Sequence, residues 1–581
     1  MSFPAVEPPG LYETYDYIII GGGSAGCVLA NRLSKPQAPK SRTPSVLLLE
    51  RGTTSDSFKS RIPLLSVHWA SDASILRTWT TVPQEYVNNR EFALLGGNVF
   101  GGTSKVNGTL YMRGYPGEWD SWCQGKGWEG WRYENMERYL VKSEKNLDEN
   151  LVGKQYHGSD GEWPNRSLPT LWSERTAHIV KASSALGLPY VEDLNSPTRP
   201  AHGFSKLRFN VDAAGNRATV SSCFLPPGLV KDRKEYLHVS LQAAVHRIEI
   251  KGDRAEGVWV QKADGTGPTR LIKARREVIL CGGAISSPQI LMLSGIGPEE
   301  HLKHHGIPVQ KSLPGVGCQL QDHLFVPIEY QVPIRESYLR LQSGLWSFIK
   351  EVILYILWGI GLLVNASTMD GVFFVQTRLL DADAGYRVSG YRKEDMDAAL
   401  PENLPDLEIL PAGAGGKAPK GAGSLSVCAV SLRPHSKGTV QLASSDPFAP
   451  CIVDPKYLSD ERDLVFFRKG IKFVLALKHQ LHLQGYPVTD LHVPKGTSDA
   501  ELDAFLRAEC ATGYHYTSTC RMAPEHDGGV VDERLRVYGV KGLRVSDASV
   551  IPVSPSTHTA AVTMAVAEKC ADMVLEDAKG V

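Results

Sequence analysis

The chain holds 581 residues, enough for two domains or more. Its 63 basic and 63 acidic residues cancel to a formal net charge of zero and no long basic run occurs, which excludes nucleic acid as a partner. With 42% hydrophobic and 22% charged residues, the composition is that of a folded enzyme rather than a disordered chain.

The opening stretch "MSFPAVEPPGLYETYDYIII" lacks a basic region followed by an apolar one, and the closing "EDAKGV" is no peroxisomal tail; a cytoplasmic protein is the expectation. Next comes "YDYIIIGGGSAGCVLANRLS". The apolar run Tyr17 to Ile20 predicts a buried parallel strand. It leads into Gly21-x-Gly23-x-x-Gly26, and Ser24 and Ala25 open a segment of helical spacing. "SVLLLERG" predicts a second buried strand, ending at Glu50, 24 residues beyond Gly26. This is the pattern of a dinucleotide cradle: the glycines admit a pyrophosphate, the helix start offers free N–H groups, and the acid meets a ribose hydroxyl. It fits NAD and FAD equally. The one other glycine-rich stretch, "GAGGKAPKGAG" from Gly413, runs into Pro419 instead of a helix and reads as a loop.

Further on, Val352 to Val364 is a run of 13 apolar or glycine residues, short of the roughly 20 a membrane span needs. It is expected to be a buried or substrate-lining segment, with a peripheral membrane contact through 345–364 as the alternative. Leu380 to Leu404 reads as a polar surface insertion. Ten scattered cysteines, without CxxC or finger spacing, are expected to be reduced core residues and give no metal site. The sequons at Asn107, Asn165 and Asn365 are expected to be unused.

Two longer stretches carry a family resemblance. "GGNVFGGTSKVNGTLYMRG" (Gly96 to Gly114) and "GAISSPQILMLSGIG" (Gly283 to Gly297) resemble the two signatures of the glucose–methanol–choline (GMC) flavoprotein oxidoreductases. "PGVGCQLQDH", "RPHSKGTVQLASSDPFAPCIVDPKYLSD" and "VVDERLRVYGVKGLRVSDASVIPVSPSTHTAA" resemble further family landmarks, and the likeness spans about residues 14 to 576. It implies FAD as cofactor. The loop carrying Gly101, Thr103, Asn107, Gly108 and Thr109 is implied to run along the pyrophosphate and flavin, Val245 to meet the adenine, and Asp547 to neighbour the pyrophosphate. Thr559 would begin a helix whose dipole faces the flavin. Members that bond the flavin covalently have histidine where this chain has Val106, so non-covalent FAD is expected.

The resemblance also implies the chemistry. Oxidising an alcohol removes a hydride, to flavin N5, and a hydroxyl proton, which needs a base. In "GYHYTSTCRM", His515 matches the family's base; members usually have proline at Tyr516 and glycine at Ser518. His558, in "PSTHTAA", matches the partner position, histidine or asparagine across the family. Tyr514 and Tyr516 are expected to form pocket wall. His323, His157 and His246 are read as structural or surface residues and Cys520 as a packed thiol. If the apolar segment lines the access route, the substrate is an apolar, aromatic or allylic primary alcohol, with O2 or another acceptor reoxidising the flavin, and secondary metabolism is the expected setting. Non-oxidative members, such as a hydroxynitrile lyase or a fatty-acid photodecarboxylase, are the competing reading.

The fold class that follows is α/β. A Rossmann-like FAD-binding domain (10–165, 206–325, 520–581), a parallel sheet flanked by helices, is joined to a substrate domain (166–205, 326–519) with an antiparallel sheet.

Overall fold

The computed structural model describes residues 3–6, 10–36, 42–67, 72–168, 174–381 and 391–579. Of the expected insertion, 382–390 lie outside the described residues. The first sheet is built from β1 (Thr14–Ile20), β2 (Val46–Leu49), β3 (Leu237–Ser240), β4 (Ala243–Lys251), β5 (Arg254–Lys262), β6 (Arg270–Leu280) and β7 (Leu543–Val545), in the order β3-β2-β1-β6-β5-β4, with β7 also on β6. β1, β2, β3, β6 and β7 pair in parallel, and β4 and β5 add an antiparallel meander. In the central register Ile18 faces Leu47 on one side and Val278 on the other. β2 and Tyr15 to Ile20 are buried throughout, which is why both read as unbroken apolar runs: helices cover each face of a parallel sheet.

Those helices are α1 (Ser24–Leu33), α2 (Gly283–Leu293) and α3 (Thr559–Asp577). Gly21 turns the chain from β1 toward α1 at φ +106°, and a Cβ there would lie 2.4 Å from the Cys281 carbonyl oxygen. At Gly26 a Cβ would lie 1.9 Å from the Gly21 oxygen, so only glycine lets α1 sit this close to the turn.

The second sheet runs Thr489–His492, Leu324–Val332, Gly423–Ser431, Leu407–Ala412, Gly371–Val375, Gly203–Lys206, Tyr190–Val191, with Ala511–Thr512 also paired to Leu324–Val332. It is antiparallel except for its last pair. Strand alternation divides its side chains cleanly. Val326, Leu407, Ile409, Val427 and Ala429 pack with Phe467, Ile471 and Val474 of the long helix Glu461–Leu483. Their sequence neighbours Phe325, Glu408, Leu410, Cys428 and Val430 therefore face the other way, into a cavity.

The chain just after the first signature loop is tied down by a buried polar network. Arg113 pairs with Glu144, whose carboxylate also takes Asn165 Nδ2 at 2.9 Å and lies 2.9 Å from His157 Nδ1; His157 Nε2 lies 3.0 Å from Asp193. His157 is thus structural, as expected. Burial alone would raise the Glu144 carboxyl, but Arg113 and His157 override it and pull it down to about 2. A depressed acid stabilises the fold fully above its ordinary value near 4.5 and loses that contribution as pH falls toward 2. In melting curves across that window the parent protein is expected to lose stability. Glu144→Gln should start about 3–5 kcal/mol lower near neutral pH, with Arg113 left buried and unpaired, and lack the Glu144 share of the acid loss. An unchanged melting temperature for the variant at neutral pH would refute this.

Candidate active site

A cavity of about 630 Å³ lies between the two sheets. At one end its wall is Gly21, Gly23, Ser24, Ala25, Glu50 and Val245; at the other are His515, His558 and the inward face of the second sheet. Thr103, Asn107, Gly108, Asp547 and Thr559 also line it.

The residues suit a dinucleotide on three counts. A Cβ at Gly23 would meet nothing nearer than the Gly102 Cα at 3.9 Å, so open space begins at this backbone. The first turns of α1 and α3 have no side-chain cap: Gly23 and His558 are their N-caps, and the N–H groups are left for a ligand with negative charge. Glu50 accepts from the backbone N–H groups of Gly22 (2.8 Å) and Gly52 (2.7 Å), which fixes its carboxylate in the wall with lone pairs to spare for a hydroxyl. Asp547 accepts from Gly283 N (2.8 Å), Ser287 Oγ (2.6 Å) and Ser549 N (2.8 Å), tying β7 to the start of α2. Burial raises both acids.

Three residues expected to touch the cofactor do not line the cavity. Gly26 lies under the turn, as described. Gly101 sits at φ +102° against Ser221 Oγ and donates its N–H to the Gly22 carbonyl (2.8 Å), bracing the loop from behind. Thr109 is buried, and its N–H is held 3.1 Å from Asn107 Oδ1. The same Asn107 oxygen accepts from Arg217 Nη1 at 2.9 Å. Asn165 and Asn365 are buried, so neither sequon is accessible.

His515 sits in the loop that leaves Ala511–Thr512. Asp322 Oδ1 accepts the His515 backbone N–H at 2.7 Å, and Asp322 Oδ2 accepts from Tyr457 Oη and Thr512 Oγ1, both at 2.6 Å. Burial lifts the Asp322 carboxyl to about 6 in spite of these bonds. The loop passes through left-handed backbone at Tyr514 (φ 62°) and Ser518 (φ 73°); the second is the position where glycine is usual. Tyr514 and Tyr516 line the cavity, with Tyr516 Oη accepting from Leu95 N at 3.0 Å.

The His515 and His558 rings lie 4.7 Å apart between centroids, so residues 43 positions apart meet in one site. Two further groups complete it, and sequence reasoning missed both. His323, expected to be structural or surface, is buried; its Nδ1 lies 3.0 Å from His515 Nδ1 and its Nε2 lies 2.9 Å from Ser554 Oγ. Glu408, also buried, places Oε2 3.2 Å from His558 Nε2, while its Oε1 has no hydrogen-bond partner among the described residues. Burial, and then the charge His558 can carry, depress both His515 and His323, the latter to about 3. His515 is therefore neutral at neutral pH and able to accept a proton. His246 occupies a bulge in β4 beside Phe448 and is absent from the cavity wall; Cys520 is a buried thiol raised by burial.

The expectation of a buried or substrate-lining segment over 352–364 holds for the burial of Leu362–Val364 and not for the cavity lining. No residue of the helix Leu345–Trp358 lines the cavity. Its inward face carries Glu351 and Tyr355, bonded to Leu362 N (2.8 Å) and Asn216 Oδ1 (2.8 Å), with Val352 against the core, and most of its other apolar side chains are exposed. The cavity's apolar character comes instead from Leu110, Phe325, Leu410, Val430 and Met369.

A dinucleotide cradle that opens onto two facing histidines, one of them neutral, defines a dinucleotide-dependent oxidoreductase. Residues 15–325 and 434–567 match the family models for the two parts of the GMC oxidoreductases, and the chain belongs to that family, with FAD as its cofactor. It is 32% identical to the oxygen-dependent choline dehydrogenase 1 of Chromohalobacter salexigens, over 96% of this chain and 94% of that one. Among solved structures it resembles formate oxidase (TM-score 0.85, 26% identity, 98% of this chain and 99% of that one). It also resembles an FAD-dependent oxidoreductase from Chaetomium thermophilum (TM-score 0.83, 25% identity, 97% and 100%).

Proposed function

We propose that this protein oxidises a primary alcohol with an apolar, aromatic or allylic body to its aldehyde, with His515 as base. FAD, when bound, supplies the acceptor for the hydride. His515 accepts the hydroxyl proton at Nε2, because its Nδ1 is engaged by His323. His558, held by Glu408, keeps the substrate oxygen in place. The observation that carries this reading is the joining of a neutral His515 to His558 at the apolar end of the cavity. Val106, buried in the wall, supplies no nucleophile for a covalent flavin bond. The segments 10–165, 206–325 and 520–581 would form the FAD-binding part and 166–205 and 326–519 the substrate part. O2 is proposed as electron acceptor; a cytoplasmic location and a role in secondary metabolism belong to the same reading.

One observation favours a second substrate class. Glu408, an acid in the cavity wall beside His558, would favour a cationic group, as in a quaternary-ammonium alcohol. The deciding experiment adds benzyl alcohol, choline or glucose anaerobically, follows flavin absorbance, and then assays peroxide on admitting air. Benzyl alcohol is expected to bleach the flavin fastest. Faster bleaching by choline selects the cationic reading, faster turnover of glucose removes the apolar one, and product without bleaching would indicate a non-oxidative reaction.

A further inference from the structure

The helix Leu345–Trp358 is amphipathic in the inverse sense. Glu351, 3% exposed, and Tyr355, 6% exposed, point into the protein, whereas Trp346 is 81% exposed and Ile356, Leu357 and Trp358 are each about 60% exposed. Leu345, Phe348 and Ile353 widen the same outward surface, and Phe58, on the short helix Phe58–Arg61, adjoins it by packing edge-on against Tyr355. These eight residues are half of the sixteen large hydrophobics exposed on the described surface, so they form one patch rather than the scattered exposure normal for a folded protein.

The helix is firmly seated. Glu351 joins Leu362 N to Arg340, and Tyr355 Oη donates to Asn216. Arg166 Nη2 donates to the Gly359 carbonyl at 2.7 Å, and Gly359 packs so closely on Gly215 that a Cβ on either would clash with backbone. The patch is therefore presented by an anchored element about 21 Å long.

Charge shows what covers it. Lys59, Arg61 and Lys350 are exposed beside the patch and form no ion pair among the described residues. The acids nearby are occupied: Glu351 points inward, Asp212 is bonded within its own turn to Ala214 and Asn216, Asp56 pairs with Lys105, and exposed Asp72, which feels the Lys59 charge, is bonded to Ser74 N at 2.9 Å. Tryptophans stand near both ends of the helix, where indoles favour a water–lipid boundary. No helix among the described residues is long and apolar enough to cross a membrane. We infer that Leu345–Trp358 and the adjoining Phe58–Arg61 segment form a docking surface for an anionic lipid bilayer. The helix lies flat, its apolar face among the acyl chains and the three cations against the headgroups. From the patch the chain runs through the buried turn Leu362–Val364 to Ala366, Ser367 and Met369 of the cavity wall. The inference does not depend on which alcohol is oxidised.

The test is co-sedimentation of the FAD-loaded protein with vesicles of equimolar phosphatidylcholine and phosphatidylglycerol, and with phosphatidylcholine alone. Binding is expected only with the anionic lipid, with a blue shift of tryptophan emission and weakening in high salt. Trp346→Ser/Ile356→Ser/Leu357→Ser should abolish it, and Lys59→Glu/Arg61→Glu/Lys350→Glu should reduce it by on the order of 100-fold. Both variants should keep parental flavin content and melting behaviour. Absence of parent binding, or equal binding by the serine variant, would overturn the inference. So would a concentration-dependent dimer in sedimentation equilibrium that the serine variant dissolves, because the face would then be covered by a second copy.

Discussion

Replacing His515 by alanine is expected to lower the rate of anaerobic flavin bleaching by about 10²–10⁴-fold while the flavin stays bound. The magnitude is that of a general base removed from a site whose other parts remain. The groups that would hold FAD are backbone of the first sheet and uncapped helix ends, and none of them forms a hydrogen bond with His515. The pH profile is the sharper half of the prediction. Burial depresses His515, and the charge on His558 adds to that. A base with a lowered value stays neutral as the pH falls, so the acid limb of kcat/KM should lie below the 6.5 of an ordinary histidine. His558→Asn removes the neighbouring charge and should move that limb upward. Because the two rings interact, the parent profile reports the pair. Undiminished bleaching in His515→Ala would remove the mechanism.

The cofactor half of this site was legible because its chemistry is local in sequence. Gly21, Gly23 and Glu50 lie within 30 residues, and each role follows from a strand–turn–helix that periodicity predicts. The residues of this set that stand outside the cavity wall are of one kind. Gly101, Gly26 and Thr109 belong to the right loops, but sequence does not say which side of a loop faces the ligand. The substrate half was less legible. His323 and His515 are 192 positions apart and meet only because Ala511–Thr512 pairs with Leu324–Val332. Glu408 did leave a signal, a lone acid between Leu407 and Ile409 in an apolar alternation, and register shows that it must face the cavity. The helix Leu345–Trp358 failed for a physical reason as well. An apolar run predicts burial unless something else occupies the inner face, and here Glu351 and Tyr355 do so through bonds to distant segments.

His323→Leu is expected to lower kcat/KM by roughly 100-fold, and His323→Gln to stay within about tenfold of the parent. The reason is tautomeric. His323 is fully buried and, pushed down to about 3, carries a single N–H at working pH. Only one hydrogen can occupy the 3.0 Å contact between its Nδ1 and that of His515. When His323 donates from Nε2 to Ser554, its Nδ1 must accept from His515, which leaves His515 Nε2 bare toward the cavity and ready to take a proton. In the opposite tautomer His515 Nε2 already carries a hydrogen and cannot act. Replacing an anionic orienting partner by a neutral group that fixes the wrong tautomer costs about 10⁴-fold; a neutral imidazole stabilises the resulting cation less than an anion does, so its loss has a smaller effect. Leucine removes the acceptor, whereas glutamine can still offer a carbonyl oxygen. Ser554→Ala should cost only a few-fold, because it loosens the preference without deleting the contact. The losses should fall on kcat and on the acid limb, with flavin content and melting temperature measured alongside to exclude a folding defect. Parental turnover and an unshifted profile in a folded His323→Leu would leave His323 as mere packing.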